Sequence, residues 1–301
     1  MKLAITGATG FVGSRLLDAA LAAGHSVRAL TRRPQPARAG IEWIDGALDR
    51  PASLDRLADG ADALIHVAGV INAPDAAGFE RGNVIGTGGA LAAAEKARVP
   101  RFVHVSSLAA REPKLSLYGG SKSRSETLVA ASPLLSAIVR PPAVYGPGDR
   151  ETLELFHMAK RGLVLMPPKG RLSLIHVDDL ANLLLALAAP GAPSGLTVEP
   201  DDGHRGGWTH AEFATALGQA VGRKVLAVSA PAMLVKLAAR ADRLVRGAGA
   251  KLTPDRAAYF CHPDWVAAPD RAAPLALWSP RIPTAAGLAD TAAWYRAAGW
   301  L

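Results

Sequence analysis

Tyr118 and Lys122 are the two residues whose types and spacing most directly suggest catalysis. Side chains four positions apart lie on one face of a helix, so the phenol and the ammonium would be neighbours. A nearby positive charge favours the phenolate and lowers the pKa of a tyrosine, which makes its hydroxyl a usable acid or base near neutral pH. The spacing therefore predicts acid–base catalysis, and an ordinary exposed pair on a helix surface is the alternative.

A glycine-rich segment close to the first residue suggests a second activity, the binding of phosphate. Gly7, Gly10 and Gly13 follow a short apolar segment, residues 3–6, at the point where a strand would turn into a helix. Without side chains the backbone can approach a pyrophosphate closely, and the positive end of the helix dipole attracts its charge. The spacing G-x-x-G-x-x-G differs from the fingerprint usually quoted for dinucleotides, so the spacing alone predicts only a phosphate-binding turn.

The elements that must position these residues follow an alternating pattern. Strands are predicted at residues 3–6, 26–30, 63–67, 102–105 and 135–140. Helices are predicted between them at residues 13–23, 53–58, 83–97 and 119–131. Such alternation is typical of a parallel sheet with helices on both faces, so we predict an α/β fold with a Rossmann-type, doubly wound parallel sheet.

Beyond residue 190 the alternation is expected to stop. Separate helices are predicted after Thr209, from Pro231 to about Arg246, after Thr253, and from Thr284 to about Ala297. We therefore predict a dinucleotide-binding domain over residues 1–192 and a small, mainly helical substrate-binding or lid domain over residues 193–301. Residues 151–170 are expected to join the substrate side.

Seven short segments form an ordered set of motifs along the chain. They are the glycine turn at residues 7–13, His66-Val67-Ala68-Gly69, Asn83 in a Gly-Asn-Val-Ile-Gly-Thr segment, Ser106-Ser107, Tyr118 with Lys122, the Arg140 to Gly148 segment, and Ile175-His176-Val177-Asp178-Asp179. In this order they resemble the short-chain dehydrogenases/reductases, and among them the extended branch of NAD(P)-dependent epimerases, dehydratases and reductases. The resemblance covers most of residues 1–190.

This resemblance implies roles for particular residues. Tyr118 would exchange a proton with the substrate oxygen, Lys122 would hold the nicotinamide ribose and lower the pKa of the tyrosine, and Ser107 would hydrogen-bond the same oxygen. Ser106 is the alternative serine, and Asn83 is expected to be structural or cofactor-side rather than catalytic. The residues expected to contact the cofactor are Gly7, Thr9, Gly10, Phe11, Val12, Gly13, Thr31, Arg32, Arg33, His66, Ala68, Gly69, Tyr118, Lys122, Pro141 and Val144.

The end of the second predicted strand bears on the choice of cofactor. An NAD enzyme normally presents an acidic residue there to the ribose hydroxyls, whereas this chain has Thr31-Arg32-Arg33. Guanidinium groups pair well with a phosphate, so we predict NADP(H) as cofactor, with NAD less favoured. The alternative is that both arginines are surface charges. Family members commonly carry an Asp near position 46, where this chain has Gly46, so the adenine contact is left open, with Asp45 as one replacement.

Composition and charge exclude several other classes of protein. The chain has 301 residues, a net charge of +8 and one cysteine, Cys261. A single cysteine cannot build an internal disulfide framework and fits a reducing compartment, and no signal-peptide pattern follows Met1, so we predict a cytoplasmic protein without a transmembrane segment. The arginines are spread along the chain without a basic run, so no nucleic-acid partner is expected. No histidine, cysteine or carboxylate set has metal-ligand spacing.

The last third of the chain gathers most of the aromatic and several large apolar side chains. They are Trp208, Phe213, Met233, Leu234, Leu237, Tyr259, Phe260, Trp265, Trp278, Trp294 and Trp300. We expect residues 193–301 to close over the nicotinamide with an apolar pocket for a hydrophobic carbonyl or alcohol. The equally supported alternative is that these side chains form the core of a small domain.

The predicted helix from Met233 has apolar and basic side chains on different sides. The apolar ones are Leu234, Leu237, Ala241, Leu244 and Val245, and the basic ones are Lys236, Arg240, Arg243 and Arg246. The favoured interpretation is a lid or an interface helix, which leaves a homo-oligomer open. A helix lying on an anionic membrane is the weaker alternative.

These features together predict an NADP(H)-dependent oxidoreductase of the extended short-chain type, which moves hydride between the nicotinamide and a carbonyl or alcohol carbon of a small molecule. The same machinery would serve a nucleotide-sugar epimerase or dehydratase with tightly bound NAD(P), which is the first alternative. A non-catalytic dinucleotide-binding sensor or assembly factor is the second, and the intact pair of Tyr118 and Lys122 argues against it.

Overall fold

The chain folds into two compact units in a computed structural model that describes residues 1–250 and 252–301. The first unit comprises Met1–Pro141, Leu180–Glu199 and Ala273–Ser279, and the second comprises Pro142–Asp179, Pro200–Ala272 and Pro280–Leu301. The assignment of cofactor binding to residues 1–192 and of substrate binding to residues 193–301 stays a prediction.

The secondary structure comprises strands and helices with the following bounds. The strands are β1 (Lys2–Thr6), β2 (Ser26–Thr31), β3 (Ile41–Asp45), β4 (Ala63–His66), β5 (Arg101–Val105), β6 (Leu135–Val139), β7 (Ala143–Tyr145), β8 (Leu163–Met166), β9 (Arg171–Leu172), β10 (Leu174–His176), β11 (Leu196–Val198), β12 (Trp208–Thr209), β13 (Leu226–Ser229) and β14 (Asp264–Trp265). The helices are α1 (Phe11–Ala22), α2 (Pro51–Ala58), α3 (Ala76–Phe79), α4 (Gly86–Lys96), α5 (Leu117–Ala131), α6 (Leu153–Lys160), α7 (Val177–Ala188), α8 (His210–Val221), α9 (Ala232–Arg246), α10 (Pro254–Phe260) and α11 (Thr284–Ala297). A π-helical turn, Glu80–Ile85, joins α3 to α4.

The first unit is built on a seven-stranded sheet with the order β11-β6-β5-β4-β1-β2-β3. Every pair of neighbouring strands is parallel. All residues of β4 and β5 are buried, because helices cover both faces of such a sheet and the strands need apolar side chains on both sides. The strand order reverses between β1 and β4, and ligands of open parallel sheets bind at the carboxyl ends of the strands at such a point. The predicted Rossmann-type sheet is confirmed.

Two strands of this sheet lie outside the predicted pattern. β3 pairs with β2 beyond its far edge, with Thr31 opposite Asp45, and β11 pairs with β6, with Leu196 opposite Ala137. The expectation that strands of the sheet end before residue 190 is therefore wrong. β11 is only three residues long and stands among prolines and glycines, so its sequence carries little periodicity.

The second unit has its own apolar core and four small strand pairings. Tyr145, Phe156, Phe213 and Tyr295 are buried at its centre, and Trp208 and Trp300 pack partly against them. The predicted helices after Thr209, Pro231, Thr253 and Thr284 are confirmed as α8, α9, α10 and α11. Within residues 1–250 and 252–301, every helix is too short or too polar to cross a bilayer.

The aromatic side chains of the last third divide between core and surface rather than forming one group. Phe213 and Trp265 are buried, whereas Trp294 is 37% exposed. Trp278 belongs to the first unit, whereas the other aromatic residues of the set lie in the second. Met233, Leu234 and Leu237 point outward from α9 with more than half of their surface exposed. Core packing therefore accounts for part of this apolar set, and the α9 residues do not belong to it.

Close contact between β1 and α1 depends on the absence of side chains at two glycines. A Cβ at Gly13 would lie 2.0 Å from the carbonyl oxygen of Gly7, and a Cβ at Gly7 would lie 2.6 Å from the nitrogen of Ala68. Both distances are far below van der Waals contact, and the atoms that would be struck belong to the backbone. Gly7 also has a φ of +70°, which L-residues rarely adopt.

We expect Gly13→Ala to lower the free energy of unfolding by about 1–3 kcal/mol, because the new methyl group must push the turn away from the helix. Urea denaturation measures this change. Gly88→Ala is the matched control, since a Cβ at Gly88 in α4 would meet only Leu128 at 3.8 Å. That substitution should stabilise the protein by up to about 1 kcal/mol through helix propensity. Equal effects of the two substitutions would refute the role given to Gly13.

Candidate active site and cofactor-binding turn

The turn after β1 leaves backbone amides available for an anion. The amide of Gly10 donates a hydrogen bond of 3.0 Å to the carbonyl of Gly7, which closes the turn. Gly10 then caps α1 without any side-chain hydrogen bond, and the first turn of that helix carries no acidic residue. Gly10 and Thr9 are exposed, and Phe11 and Val12 are half-buried. The geometry therefore fits a phosphate-binding turn, as the glycine spacing predicts, and the contact of these residues with a dinucleotide stays a prediction.

Tyr118, Lys122 and Ser107 come together at the carboxyl edge of the sheet. Tyr118 lies in the first turn of α5, which Ser116 caps by accepting a hydrogen bond of 2.9 Å from the amide of Gly119. Burial raises the pKa of Tyr118, and a hydrogen bond with Ser107 acts in the opposite direction. The half-buried phenol is therefore protonated at neutral pH. Lys122 is expected to lower this pKa, but burial dominates in the structure and raises it, and the effect of Lys122 on the tyrosine stays a prediction.

Lys122 is buried one turn further along α5. Its Nζ donates a hydrogen bond of 2.7 Å to the carbonyl oxygen of Val105, the last residue of β5. Burial lowers the pKa of the ammonium to about 8, although the carboxylate of Glu126 opposes this effect. A Cβ at Gly69 would lie 3.5 Å from the Nζ, so the turn after β4 passes beside the lysine. The structure thereby places a predicted cofactor-binding residue against a predicted catalytic one.

Two glycines at the start of α5 allow this helix to approach the segment that follows β5. A Cβ at Gly119 would lie 2.5 Å from the carbonyl oxygen of Ala109, and a Cβ at Gly120 would lie 2.9 Å from that of Pro113. Poor helix formers at these positions therefore have a packing reason. The close approach brings Ser107 within hydrogen-bonding distance of Tyr118.

The hydrogen bonds distinguish the two neighbouring serines. The hydroxyl of Ser106 donates to Oε1 of Glu126, and the amide of Ser106 donates 2.7 Å to the carbonyl of Val139. The hydroxyl of Ser107 instead bonds Tyr118 and accepts a bond of 3.2 Å from the amide of Ala109. Ser107 is therefore the serine that contacts Tyr118, and Ser106 anchors the strand to α5, while the catalytic role of Ser107 stays a prediction.

Asn83 fixes the segment after β4 from within the π-helical turn. Its Oδ1 accepts 2.7 Å from the amide of Val70, and its Nδ2 donates 3.0 Å to the carbonyl of the same residue. The Nδ2 also donates 2.8 Å to the hydroxyl of Ser121. Ser121 in turn donates 2.7 Å to the carbonyl of Tyr118. The side chain of Asn83 thus has a structural role, one of the two expected for it, and connects the segment after β4 to α5.

His66 is buried and fully hydrogen-bonded. Its Nδ1 lies 2.8 Å from Oγ1 of Thr6, and its Nε2 lies 3.1 Å from Oγ1 of Thr87. Burial, together with the charge of Lys122, lowers the pKa of His66 to about 3, so the ring is neutral. Any cofactor contact at this position therefore falls to the backbone. The amide of Ala68, two residues on, donates 3.2 Å to Oγ1 of Thr6.

His104 stacks on the ring of His66, with 5.6 Å between ring centroids. Its Nε2 lies 3.0 Å from the hydroxyl of Ser125, whereas its buried Nδ1 has no hydrogen-bond partner. Burial, followed by the charges of Lys122 and His66, lowers its pKa well below the ordinary value. The centre of the sheet thus holds two neutral, stacked imidazoles beneath the ammonium.

The end of β2 presents two exposed arginines. Thr31 accepts a hydrogen bond from the amide of Arg33 and donates 2.7 Å to its carbonyl, which turns the chain at this point. Within the described residues, the guanidinium groups of Arg32 and Arg33 have no carboxylate partner. Gly46 follows β3 nearby, and a Cβ there would lie 2.1 Å from the Cβ of buried Ser53. Packing against Ser53 therefore explains why no aspartate stands at position 46.

The remaining predicted contacts lie in both units. The carbonyl of Pro141 accepts 3.1 Å from the amide of Leu108, next to Ser107. Val144 lies on β7 in the second unit. Among residues 1–250 and 252–301, no cluster of three or more histidine, cysteine or carboxylate side chains could hold a metal ion.

A buried charge network adjoins Ser106, next to Ser107, and was not predicted from the sequence. Arg140 donates 2.9 Å and 2.6 Å to the two oxygens of Glu126 and 3.2 Å to Oε1 of Glu199. Arg111 pairs with the other oxygen of Glu199 at 3.2 Å. Glu126 also accepts from Ser106 and lies one helical turn after Lys122. The spacing Tyr118-x-x-x-Lys122-x-x-x-Glu126 was the available signal, since it continues one helix face.

Comparison with known proteins gives a consistent result. A family model described as the NAD dependent epimerase/dehydratase family matches residues 3–195. A ceramide reductase of Caulobacter vibrioides is 40% identical over 99% of this chain and 96% of its own length. A 4-hydroxy-2-methyl-3-oxo-4-farnesyl-3,4-dihydroquinoline-1-oxide ketoreductase of Stigmatella aurantiaca is 34% identical over 67% of this chain and 69% of its own. MoeE5 in complex with UDP-glucose and NAD is 23% identical with a TM-score of 0.76, covering 99% of each chain, and shares the fold.

We expect Arg140→Met to lower the free energy of unfolding by about 3–5 kcal/mol, because it removes the guanidinium that pairs with buried Glu126 and one of the two arginines that pair with buried Glu199. Urea denaturation at several pH values measures the loss. Protonation removes the uncompensated charge of a buried carboxylate, so the loss should shrink as the pH falls. Arg124→Met breaks the exposed pair with Glu80 and should cost about 0–1 kcal/mol. An equal loss in both variants would contradict the network's role.

Proposed function

Because the chain belongs to the NAD dependent epimerase/dehydratase family, we propose that it is an NADP(H)-dependent reductase of a ketone on a long-chain lipid. The observation that carries the reaction type is the hydrogen bond between Ser107 and Tyr118 beside the buried ammonium of Lys122. These groups are the set that reversible proton transfer to a carbonyl oxygen requires.

The residues of this chain would handle the oxygen of the substrate. When bound, the nicotinamide cofactor supplies the hydride that reduces the carbonyl carbon. Tyr118 donates its proton to the carbonyl oxygen, and Ser107 donates a hydrogen bond that stabilises the developing negative charge. Tyr118 is protonated at neutral pH, and a protonated phenol is the form that a reduction consumes.

Lys122 would serve both the cofactor and the tyrosine. Its ammonium lies between Gly69 and the end of β5, where a ribose hydroxyl can replace or join the carbonyl of Val105 as acceptor. A positive charge there also stabilises the phenolate that Tyr118 becomes after proton transfer. The carboxylate of Glu126, itself held by Arg140, keeps the lysine protonated more fully than burial alone would allow.

The proposed substrate class follows from the relatives. The ceramide reductase matches nearly the full length of this chain, including the second unit. The name of the ketoreductase describes a farnesylated ring system as its substrate. Both names describe an apolar substrate. We therefore narrow the proposed substrate to a ketone on a long-chain amide lipid of the ceramide type.

We expect NADPH to bind about ten- to a hundredfold more tightly than NADH, because charge-assisted bonds from Arg32 and Arg33 to the 2′-phosphate contribute about 1.5–3 kcal/mol. Fluorescence titration with both cofactors measures the ratio. The Arg32→Ala/Arg33→Ala double variant should lose the preference. Arg98→Ala removes an exposed arginine that precedes β5, at the opposite edge of the sheet, and should keep it. Equal affinities for both cofactors in the unaltered protein would refute the specificity.

We expect Tyr118→Phe to lower kcat for an oxidised, ketone-bearing ceramide by at least about a hundredfold while leaving NADPH affinity nearly unchanged, because only the proton-donating hydroxyl is lost. Stopped-flow oxidation of NADPH and direct titration measure the two quantities. Ser123→Ala, which removes a hydroxyl from the same helix, is the control and should behave as the unaltered protein. Interconversion of nucleotide sugars without net oxidation of NADPH would instead support the epimerase alternative.

A further inference from the structure

Helix α9 presents an exposed apolar face that no other described part of the chain covers. Met233 is 80% exposed, Leu244 is 87% exposed and Val245 is 84% exposed. At about 100° per residue these side chains share one face with four others, and the face covers about 140° of the helix circumference. The full set is Met233, Leu234, Leu237, Ala238, Ala241, Leu244 and Val245. A core-forming helix would turn such a face inward.

The opposite side of α9 fixes the helix to the second unit. On this side Ala239 is buried and Val235 is half-buried, and α9 contacts α10. Asp242, the single acidic residue of α9, also lies on this side. Its carboxylate accepts 2.8 Å from the amide of Leu252 and pairs with Arg246 at 3.3 Å. The apolar face therefore points outward as a consequence of the anchoring.

The charges that border the apolar face are positive. Lys236, Arg240 and Arg243 follow one margin of the face, all exposed, and Asp242 is paired on the inner side. Long basic side chains at the margin of an apolar face can extend their stems along it and place their charges among lipid headgroups. The net charge of +8 adds to this attraction.

A second exposed apolar surface stands immediately before α9 in the chain. β8 and β13 form a parallel pair in which Leu163 faces Leu226 and Leu165 faces Val228. All four side chains are exposed by 39% to 66%, whereas their neighbours Val164 and Met166 are buried. β13 leads through two residues into α9, so one strand of this second surface adjoins the helix along the chain, and both surfaces belong to the second unit.

We propose that α9 is an in-plane anchor that binds the surface of an anionic lipid bilayer, with its apolar face in the headgroup region and its basic margin on acidic headgroups. In this proposal the apolar face of α9 contacts lipid, and the helix is neither a lid nor an interface with a second copy of the chain. The inference does not depend on the proposed function, because binding to vesicles requires no turnover. It would place an enzyme for a lipid ketone where its substrate resides.

The test is co-sedimentation of the full chain with vesicles of phosphatidylcholine, with or without about a third of phosphatidylglycerol. The unaltered protein should bind the anionic vesicles, bind the neutral ones at least about fivefold less tightly, and be released by high salt. Leu237→Glu/Leu244→Glu should lower the partition coefficient at least about tenfold, because two exposed apolar side chains that would enter the bilayer are replaced by charges. Thermal unfolding and NADPH titration should be unchanged, since both leucines are exposed.

Leu275→Glu is the matched control, because Leu275 is 87% exposed, as Leu244 is, but lies in the first unit. This variant should sediment with anionic vesicles as the unaltered protein does. Equal binding of the α9 variant and the control would overturn the proposal. So would a protein that ignores both vesicle types and self-associates until Leu237→Glu/Leu244→Glu makes it monomeric, which would identify an interface between copies. Loss of turnover with intact vesicle binding would bear on the proposed function alone.

Discussion

The buried ammonium of Lys122 is the charge around which the carboxyl edge of the first unit is organised. A cation removed from water is costly unless nearby groups compensate for the lost hydration. Here the carbonyl of Val105 accepts its hydrogen bond, and the carboxylate of Glu126 lies one turn away. Glu126 in turn needs Arg140, and Arg140 is shared with Glu199. The buried charge network is thus a series of ion pairs, in which each buried charge is compensated by the next and the first is the ammonium of Lys122.

Much of the fold and of the site could be predicted from local patterns. A local signal within a few residues marks the glycine turn, the helix bearing Tyr118 and Lys122, and the later helices. Such a signal is, for example, a proline at the start of a helix or a glycine at its end. The family resemblance is confirmed by a model that matches residues 3–195. The family resemblance favours Ser107 over Ser106, and the observed hydrogen bonds agree with this preference, although the catalytic role of Ser107 stays a prediction.

What the sequence concealed depends on contacts between distant residues. Gly46 stands where family members commonly carry an aspartate, and the reason for the glycine, its close packing against Ser53, is visible only in the structure. The network of Arg111, Glu126, Arg140 and Glu199 joins positions up to 88 residues apart, which no periodicity can reveal. For α9 the amphipathic pattern was visible, but its outward direction was not. Which side of a helix faces the protein is decided by its partners, here Ala239 and the neighbours of Asp242.

The stacked imidazoles of His66 and His104 set a limit on the acidity that the fold tolerates. Both have pKa values below the ordinary 6.5, so the unfolded chain takes up protons at these positions before the folded one does. Each such group weakens the fold by about 1.4 kcal/mol for every unit that the pH falls below about 6.5, until the folded pKa is reached. Because two such histidines lie near Lys122, the free energy of unfolding of the enzyme falls in acid. A compartment near neutral pH therefore suits this sheet, whatever reaction takes place at its edge.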